Sequence, residues 1–236
     1  MKPIILIYGE PGAGKTTCAK ALEDVFYIDT EGRVPTADIT ILQYSKKTIT
    51  EAVKNSNKKR IVIDSIDALA RHIESYAKSV SPNNNFGERY VLRSDEMNDL
   101  IYMLRAVDKT VVMTANIARD ESTELNENGE VYKRITYSPA LSTGKTGVLT
   151  ILEKQCDVIG VLLREKILKS VRVDGQIRTV EKKTQKRIYT TSEDSGMLVT
   201  KDVLLGGVEM EMTPEKFSEY VKQLEDTINN GGKANA

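Results

Sequence analysis

The sequence predicts an α/β protein: a mainly parallel central sheet flanked by helices on both faces, with antiparallel hairpins toward the C-terminus. Three observations carry that prediction. Short runs of continuous apolar residues, of the kind a strand buried on both faces requires, alternate with segments of helical periodicity. A glycine-rich segment, Gly9-Glu10-Pro11-Gly12-Ala13-Gly14-Lys15-Thr16-Thr17, follows the first apolar run directly and opens a helix. From Val158 onward the runs read instead as short strands joined by turn dipeptides.

Ile4-Ile5-Leu6-Ile7-Tyr8 is the first strand, and residues 16–24 form the helix after the glycine-rich loop. A second strand follows at 25–29, a third at 39–43, a short helix at 46–55 and a fourth strand at 60–64. Residues 66–78 read as a helix, broken by Ser81-Pro82-Asn83-Asn84-Asn85. The next helix, 90–107, places Leu92, Met97, Leu100, Ile101 and Leu104 at helical spacing. Residues 110–114 are a buried strand ending at Ala115-Asn116, after which 117–137 is a polar excursion with Asn128-Gly129 as its hairpin turn. Strands at 158–163, 170–173 and 187–191 read as antiparallel or edge strands around a second turn, Asp174-Gly175. Thr213-Pro214-Glu215 opens a last helix, threonine as cap and proline at the first helical position.

The chain of 236 residues is long enough to bury a core as one domain with appendages. The expected division is a domain over 1–210, a C-terminal helix over 211–228 and a flexible tail over 229–236. The formal net charge of zero removes any global electrostatic argument for nucleic acid, so a basic surface must be local. Cys18 and Cys156 stand far apart without metal-ligand spacing, which fits a reducing compartment and buried thiols. Apolar stretches are strand-sized and the N-terminus carries no signal-type segment. A cytoplasmic location and no membrane contact are expected.

The glycine-rich segment is an uninterrupted GxxxxGK[ST] phosphate-binding loop with the strand and helix that the motif needs on either side. Gly9, Gly12 and Gly14 lack a Cβ, so backbone N–H groups can turn inward and approach a polyphosphate. Lys15 supplies a point charge for the β/γ-phosphates, the helix that opens there adds its positive end, and the Thr16 hydroxyl is placed to ligate Mg²⁺. Glu10, Pro11, Ala13 and Thr17 complete the nucleotide-binding set. Asp64 ends the fourth strand, where a phosphate-loop enzyme places a second acid to hold magnesium; the alternative is a cap for the helix that follows. Glu31 follows the second strand, in the crevice at the strand ends, where a carboxylate can orient and deprotonate water; the alternative is a solvated loop acid.

Taken together, the loop, Phe26-Tyr27-Ile28-Asp29-Thr30-Glu31, Val62-Ile63-Asp64-Ser65 and Val112-Met113-Thr114-Ala115-Asn116 resemble the RecA-like branch of P-loop ATPases. They resemble more closely the phage and prophage nucleotide-binding ATPases encoded beside recombination genes, of the single-strand annealing type. The resemblance runs over most of 3–205 and includes Phe86-Gly87-Glu88-Arg89-Tyr90 and Ser138-Pro139-Ala140-Leu141-Ser142-Thr143-Gly144-Lys145. It implies a RecA-like fold, ATP and Mg²⁺ as ligands, Mg-dependent hydrolysis, Glu31 as catalytic glutamate and Asp64 as magnesium aspartate. Asn116 then falls where RecA-like proteins carry a polar γ-phosphate sensor, usually glutamine or histidine. Asparagine is shorter, and its alternative is a strand-end residue bonding its own loop.

The resemblance further implies single-stranded DNA as partner, a homo-oligomer, and a single-strand-binding or recombination protein as associate. The polar excursion occupies the place of a DNA-binding loop, and Tyr132, Lys133 and Arg134 in its second half offer rings and cations for a strand. A cationic run from Arg164 to Arg187, with Lys182 and Lys183 within it, carries nine Lys and Arg against three acids. A solvated hairpin and a solvated charged face are the plain alternatives. In RecA-like filaments a neighbouring subunit inserts cations toward the γ-phosphate, and Arg164 or Lys166 is the choice here for that role in trans. A nucleotide or small-molecule kinase, or a binding module that holds ATP without hydrolysis, is the competing function class.

Overall fold

The unbroken apolar sequences of the first and fourth strands fold at the centre of one sheet, because strands without polar alternation need cover on both faces. The computed structural model describes residues 2–83, 87–125, 131–144, 147–173, 176–192 and 198–230; side chains at 124–125, 131–134, 166–173 and 176–185 are outside that description. In chain order the elements are β1 (Ile4–Gly9), α1 (Lys15–Lys20), β2 (Val25–Asp29), β3 (Ile39–Thr40), α2 (Lys46–Asn55), β4 (Arg60–Asp64), α3 (Ile66–Val80) and α4 (Glu88–Ala106). Then come β5 (Thr110–Leu125), β6 (Val131–Pro139), α5 (Val148–Gln155), β7 (Val158–Val173), β8 (Gln176–Thr190), β9 (Lys201–Asp202), β10 (Glu209–Glu211) and α6 (Pro214–Asn229).

The sheet order is β10-β8-β7-β1-β5-β4-β2-β3. Every neighbour from β7 to β3 is parallel, and β8, β9 and β10 join antiparallel on the β7 side. Parallel pairing brings the C-terminal ends of β1, β5, β4 and β2 to one edge, with Gly9 opposite Asn116, Asp64 opposite Thr114 and Asp29 opposite Asp64. That edge is where an open α/β sheet binds its ligands.

Alternate residues of β1 feed two cores. Ile4, Leu6 and Tyr8 pack beneath α2, α3, α4 and α5, while Ile5 and Ile7 face α1 and α6. In α3, Ile66, Leu69, Ile73 and Ala77 recur at helical spacing and are buried; each large side chain contributes about 1.5–3 kcal/mol of burial. Helix α6 buries Phe217, Tyr220, Val221 and Leu224, and the Tyr189 ring meets Phe217 and Tyr220 edge-on at 6.2 and 5.5 Å. Its cap is the one the sequence gives: the Thr213 hydroxyl accepts from the Lys216 N–H at 3.3 Å ahead of Pro214. Cys18 and Cys156 are both buried. Among the described residues no helix is long and apolar enough to cross a membrane.

Several elements depart from expectation for visible reasons. Helix α1 ends at Lys20 rather than Asp24, because Arg60 draws the next residues back to the sheet: its N–H bonds Asp24 O at 3.1 Å and its guanidinium bonds Glu23 O at 2.8 Å. Asp24 itself takes a φ of 53°, which ends helical propagation. The third strand shrinks to Ile39–Thr40. Strand β5 continues well past the end expected at Thr114 and leaves the main sheet to pair with β6, so 117–125 and 131–137 form an antiparallel ladder, in keeping with the hairpin expected of the polar excursion. Strand β7 lies inside the sheet, parallel to β1, and its apolar start Val158-Ile159-Gly160-Val161-Leu162 is buried as that position demands. Helix α5 carries Val148, Leu149, Ile151 and Leu152 so close together that composition reads equally as strand. The turns at Asn128-Gly129 and Asp174-Gly175 lie outside the described residues, as does the tail beyond Asn230.

Candidate functional site

Strand β1 runs out into the phosphate-binding loop at Gly9, where a side chain is excluded by a neighbour and not by a ligand. A Cβ on Gly9 would stand 2.1 Å from Leu162 O of β7. Gly14 takes a φ of 107°, a left-handed conformation that favours glycine, and its missing Cβ leaves room for the Arg187 guanidinium. The loop closes on itself through the Ala13 N–H, which donates to Glu10 O at 3.0 Å. Helix α1 has only 6 residues, so the loop's own N–H groups and Lys15 carry more of the anion-binding potential than a helix dipole.

Lys15 is buried and its ammonium donates to Gly9 O at 2.8 Å, Glu10 O at 3.1 Å and Asn116 Oδ1 at 3.3 Å. Burial lowers its pKa, and the negative charges of Asp64, Asp67 and Glu31 oppose that shift. Gly12, Gly14, Lys15, Thr16, Thr17 and Arg187 line one open cleft, beside which Pro11 and Glu10 form the loop's outer turn.

Asp64 is gripped by three hydroxyls. Thr16 Oγ1 donates to its Oδ2 at 2.7 Å, Tyr27 OH to the same oxygen at 2.6 Å, and Thr114 Oγ1 to Oδ1. It does not cap α3: the Ser65 hydroxyl does, accepting from the Ala68 N–H at 3.4 Å. The peptide between Asp64 and Ser65 is cis. Thr16 and Asp64 therefore sit together as a hydroxyl and a carboxylate, a donor set that suits Mg²⁺, which takes one or two protein oxygens and fills its octahedron with water and phosphate. Among the described residues no group of three or more His, Cys, Asp or Glu could cage a metal without such phosphates.

Glu31 is presented by a loop that Asp29 organises. The buried Asp29 carboxylate accepts from the N–H groups of Glu31, Gly32 and Val34 at 2.9, 3.0 and 2.6 Å. The Glu31 carboxylate accepts from Ser65 Oγ at 3.3 Å and lies 3.0 Å from Arg33 and 3.7 Å from Arg71. Thr30 and Ser65 lace the two strand ends together: Thr30 Oγ1 donates to Ser65 O and accepts from Ser65 N, each at 2.7 Å. His72, which in the sequence stands apart from every motif, meets Thr30 O through Nε2 at 2.9 Å. Asn116 does not bond its own loop; its side chain spans Lys15 and the buried Asp67, and Asp67 continues to Arg71 at 3.1 Å.

Lys15 thus contacts Asn116 and the adjacent Thr16 contacts Asp64, with Glu31 bonded to Ser65 beside Asp64 and joined to Asn116 through Arg71 and Asp67. Tyr132, Lys133 and Arg134 belong to β6, and Lys182 and Lys183 to β8; their side chains lie outside the described ones, as does that of Lys166. Phe86 and Lys145 are outside the described residues altogether. Arg164, expected to reach a neighbouring subunit, donates to Gly12 O of its own loop at 2.5 Å. Sequence reasoning gave no role to Asp67, Tyr27 or Thr114, and took Arg187 only as a member of the cationic run. The Asp64-Ser65-Ile66-Asp67 spacing was the available sign for Asp67, since a second acid in the first turn of α3 stays at the same strand edge.

The AAA domain family matches residues 1–202 of the chain, a span that takes in every residue of this site. No curated protein matches it.

Proposed function

The chain belongs to the AAA domain family of nucleotide-binding P-loop ATPases, and from that premise we propose that it hydrolyses ATP with Mg²⁺ and couples the reaction to single-stranded DNA. The observation that carries the reading is the contact of Thr16 with Asp64 at 2.7 Å beside a buried Lys15 that reaches Asn116. A phosphate cradle with its lysine on a strand-end amide, and a metal-type hydroxyl on a carboxylate, stand side by side there because Lys15 and Thr16 are consecutive.

Hydrolysis adds water oxygen to the γ-phosphorus and breaks its bond to the β–γ bridging oxygen, giving ADP and inorganic phosphate. Lys15 and the loop N–H groups hold the β- and γ-phosphate oxygens and offset their growing charge. Glu31 orients the attacking water and accepts its proton. Thr16 and Asp64 are the residues that would hold magnesium. When bound, it supplies charge neutralisation at the β- and γ-oxygens. Asn116 registers the γ-phosphate in this reading, supported by its hydrogen bond to Lys15.

For DNA, support comes from strand register and from the resemblance to recombination-associated ATPases. Lys166 is in register with Lys183 and Ile167 with Lys182 on the β7/β8 ladder, so the cationic run of the sequence is gathered onto one pair of strands, as contact with a polyanion would need. Tyr132, Lys133 and Arg134 stand on the β5/β6 hairpin, which leaves the sheet directly after Asn116. A self-assembled form on the strand, with a single-strand-binding or recombination partner, completes the proposal. The test is ATP turnover with and without single-stranded DNA, in the wild type and in Glu31→Gln. Turnover that ignores DNA removes the DNA reading; turnover equal in the variant removes Glu31 from its role.

A further inference from the structure

Two arginines converge on the phosphate-binding loop from β7, the neighbour of β1, and from β8 beyond it. Arg164 of β7 and Arg187 of β8 are directly opposite in the antiparallel ladder, so both side chains leave the same face. Arg164 Nη2 donates to Gly12 O at 2.5 Å, and the Arg187 guanidinium lies over Gly14, within 2.7 Å of where a Cβ would stand. Arg187 also lines the cleft formed by Gly12, Gly14, Lys15, Thr16 and Thr17.

Two cations placed directly opposite each other in a ladder are destabilising unless a negative charge offsets them. Among the described residues neither guanidinium has an ion pair, while the neighbouring Glu165 is matched to Lys186 at 3.4 Å. The ladder shifts register immediately after Arg164, with one residue of β7 set against three of β8 before Lys166 meets Lys183. Such an irregularity re-aims side chains and is frequent beside active sites. The repulsion, the unmatched charge and the placement over the loop are all resolved by one kind of ligand, a bound polyphosphate.

We propose that Arg164 and Arg187 form a phosphate clamp that acts in cis, on the triphosphate held by the loop of their own subunit. The proposal rests on the ATPase reading and adds residues to it. It also gives the nucleotide a handle on the β7/β8 hairpin: a phosphate that draws Arg164 from Gly12 O pulls on the strand that bears the cationic run.

Calorimetric titration with ATP and with inorganic tripolyphosphate reads the clamp without the base. Arg164→Gln/Arg187→Gln is expected to weaken both ligands at least tenfold, and Arg187→Lys to recover part of the loss. Arg187 makes no hydrogen bond through its side chain among the described residues, so Arg187→Gln alone serves if the double variant does not fold. Mixing Lys15→Ala protein with the double variant reads cis against trans, because arginines acting across subunits would restore turnover in the mixture. No restoration is expected. Unchanged affinity for tripolyphosphate, or turnover restored by mixing, overturns the clamp. Wild-type protein that binds ATP without hydrolysing it would instead sink the ATPase reading and leave the clamp standing or falling on affinity.

Discussion

Asn116 is joined twice to Asp67: its backbone N–H donates to Oδ1 at 3.3 Å and its side-chain Nδ2 to Oδ2 at 3.1 Å. The second bond fixes which way the amide faces. With Nδ2 committed to an aspartate, Oδ1 is turned to the Lys15 ammonium, and the short side chain reaches it because β1 and β5 pair Gly9 with Asn116 directly.

Asp67→Asn therefore tests the orientation and not the amide. An asparagine at 67 can donate to Asn116 as well as accept, so the Asn116 amide becomes free to turn over. Turnover is expected to fall about tenfold, near 1.4 kcal/mol in barrier, with KM for ATP little changed. Steady-state kinetics read this directly. An equal rise in KM would place Asp67 in nucleotide binding instead.

Glu31→Gln should lower kcat by roughly 100- to 10,000-fold, the range of a positioned general base, while ATP affinity holds within a few-fold. The loop around residue 31 is organised by Asp29 through three N–H bonds that the substitution leaves alone, so the fold is expected to persist. Single-turnover kinetics beside calorimetric ATP binding check both halves.

Tyr27→Phe removes one of the three hydroxyls on Asp64. Burial and the Asp64 charge keep that phenol firmly protonated, so it serves as a donor at any working pH. Its loss is expected to cost about 1 kcal/mol of stability, or about 2–4 °C in Tm for a chain of this size. The Mg²⁺ concentration for half-maximal turnover should rise several-fold, because a less firmly held carboxylate is a poorer partner for Thr16. A magnesium titration of turnover that superimposes on the wild type would leave Tyr27 a packing role alone.

How much of this site the sequence discloses follows from how local each signal is. The phosphate loop, Asp64 and Asn116 are legible because each ends a continuous apolar run, and parallel pairing brings such ends together. Tyr27 and Thr114 are not, since alternate positions of buried strands carry no sign of which neighbour they face until the order β1-β5-β4-β2 is known. Arg164 and Arg187 are legible only as members of a cationic run. Their approach to Gly12 and Gly14 depends on β7 entering the sheet beside β1, whereas the hairpin pattern reads as an antiparallel edge. The same long-range pairing decides the reach of β5, whose sequence after Asn116 turns polar because it leaves the covered sheet for a two-stranded ladder.

Away from the site, α6 is bound to the sheet by a polar anchor with a defined pH signature. Glu225 receives Arg60 Nε at 2.8 Å, Arg60 Nη2 at 2.6 Å and Thr110 Oγ1 at 2.7 Å. Burial by itself would raise the Glu225 pKa, but the hydrogen bonds from Arg60 and Thr110 and the Arg60 charge outweigh it and hold the carboxyl below 4.5. A depressed folded pKa means that the contribution is complete above 4.5 and is lost as pH falls through the folded value. Glu225→Gln should thus cost about 2 kcal/mol at pH 7, below the range for fully buried pairs because the rim of this one meets solvent. The gap between wild type and variant should narrow as pH falls below 4.5 toward the depressed folded value, as the wild type takes up the proton the variant cannot. Urea unfolding of both proteins across that range measures it. A gap that persists undiminished at low pH would assign the anchor to packing of the glutamate stem and not to its charge.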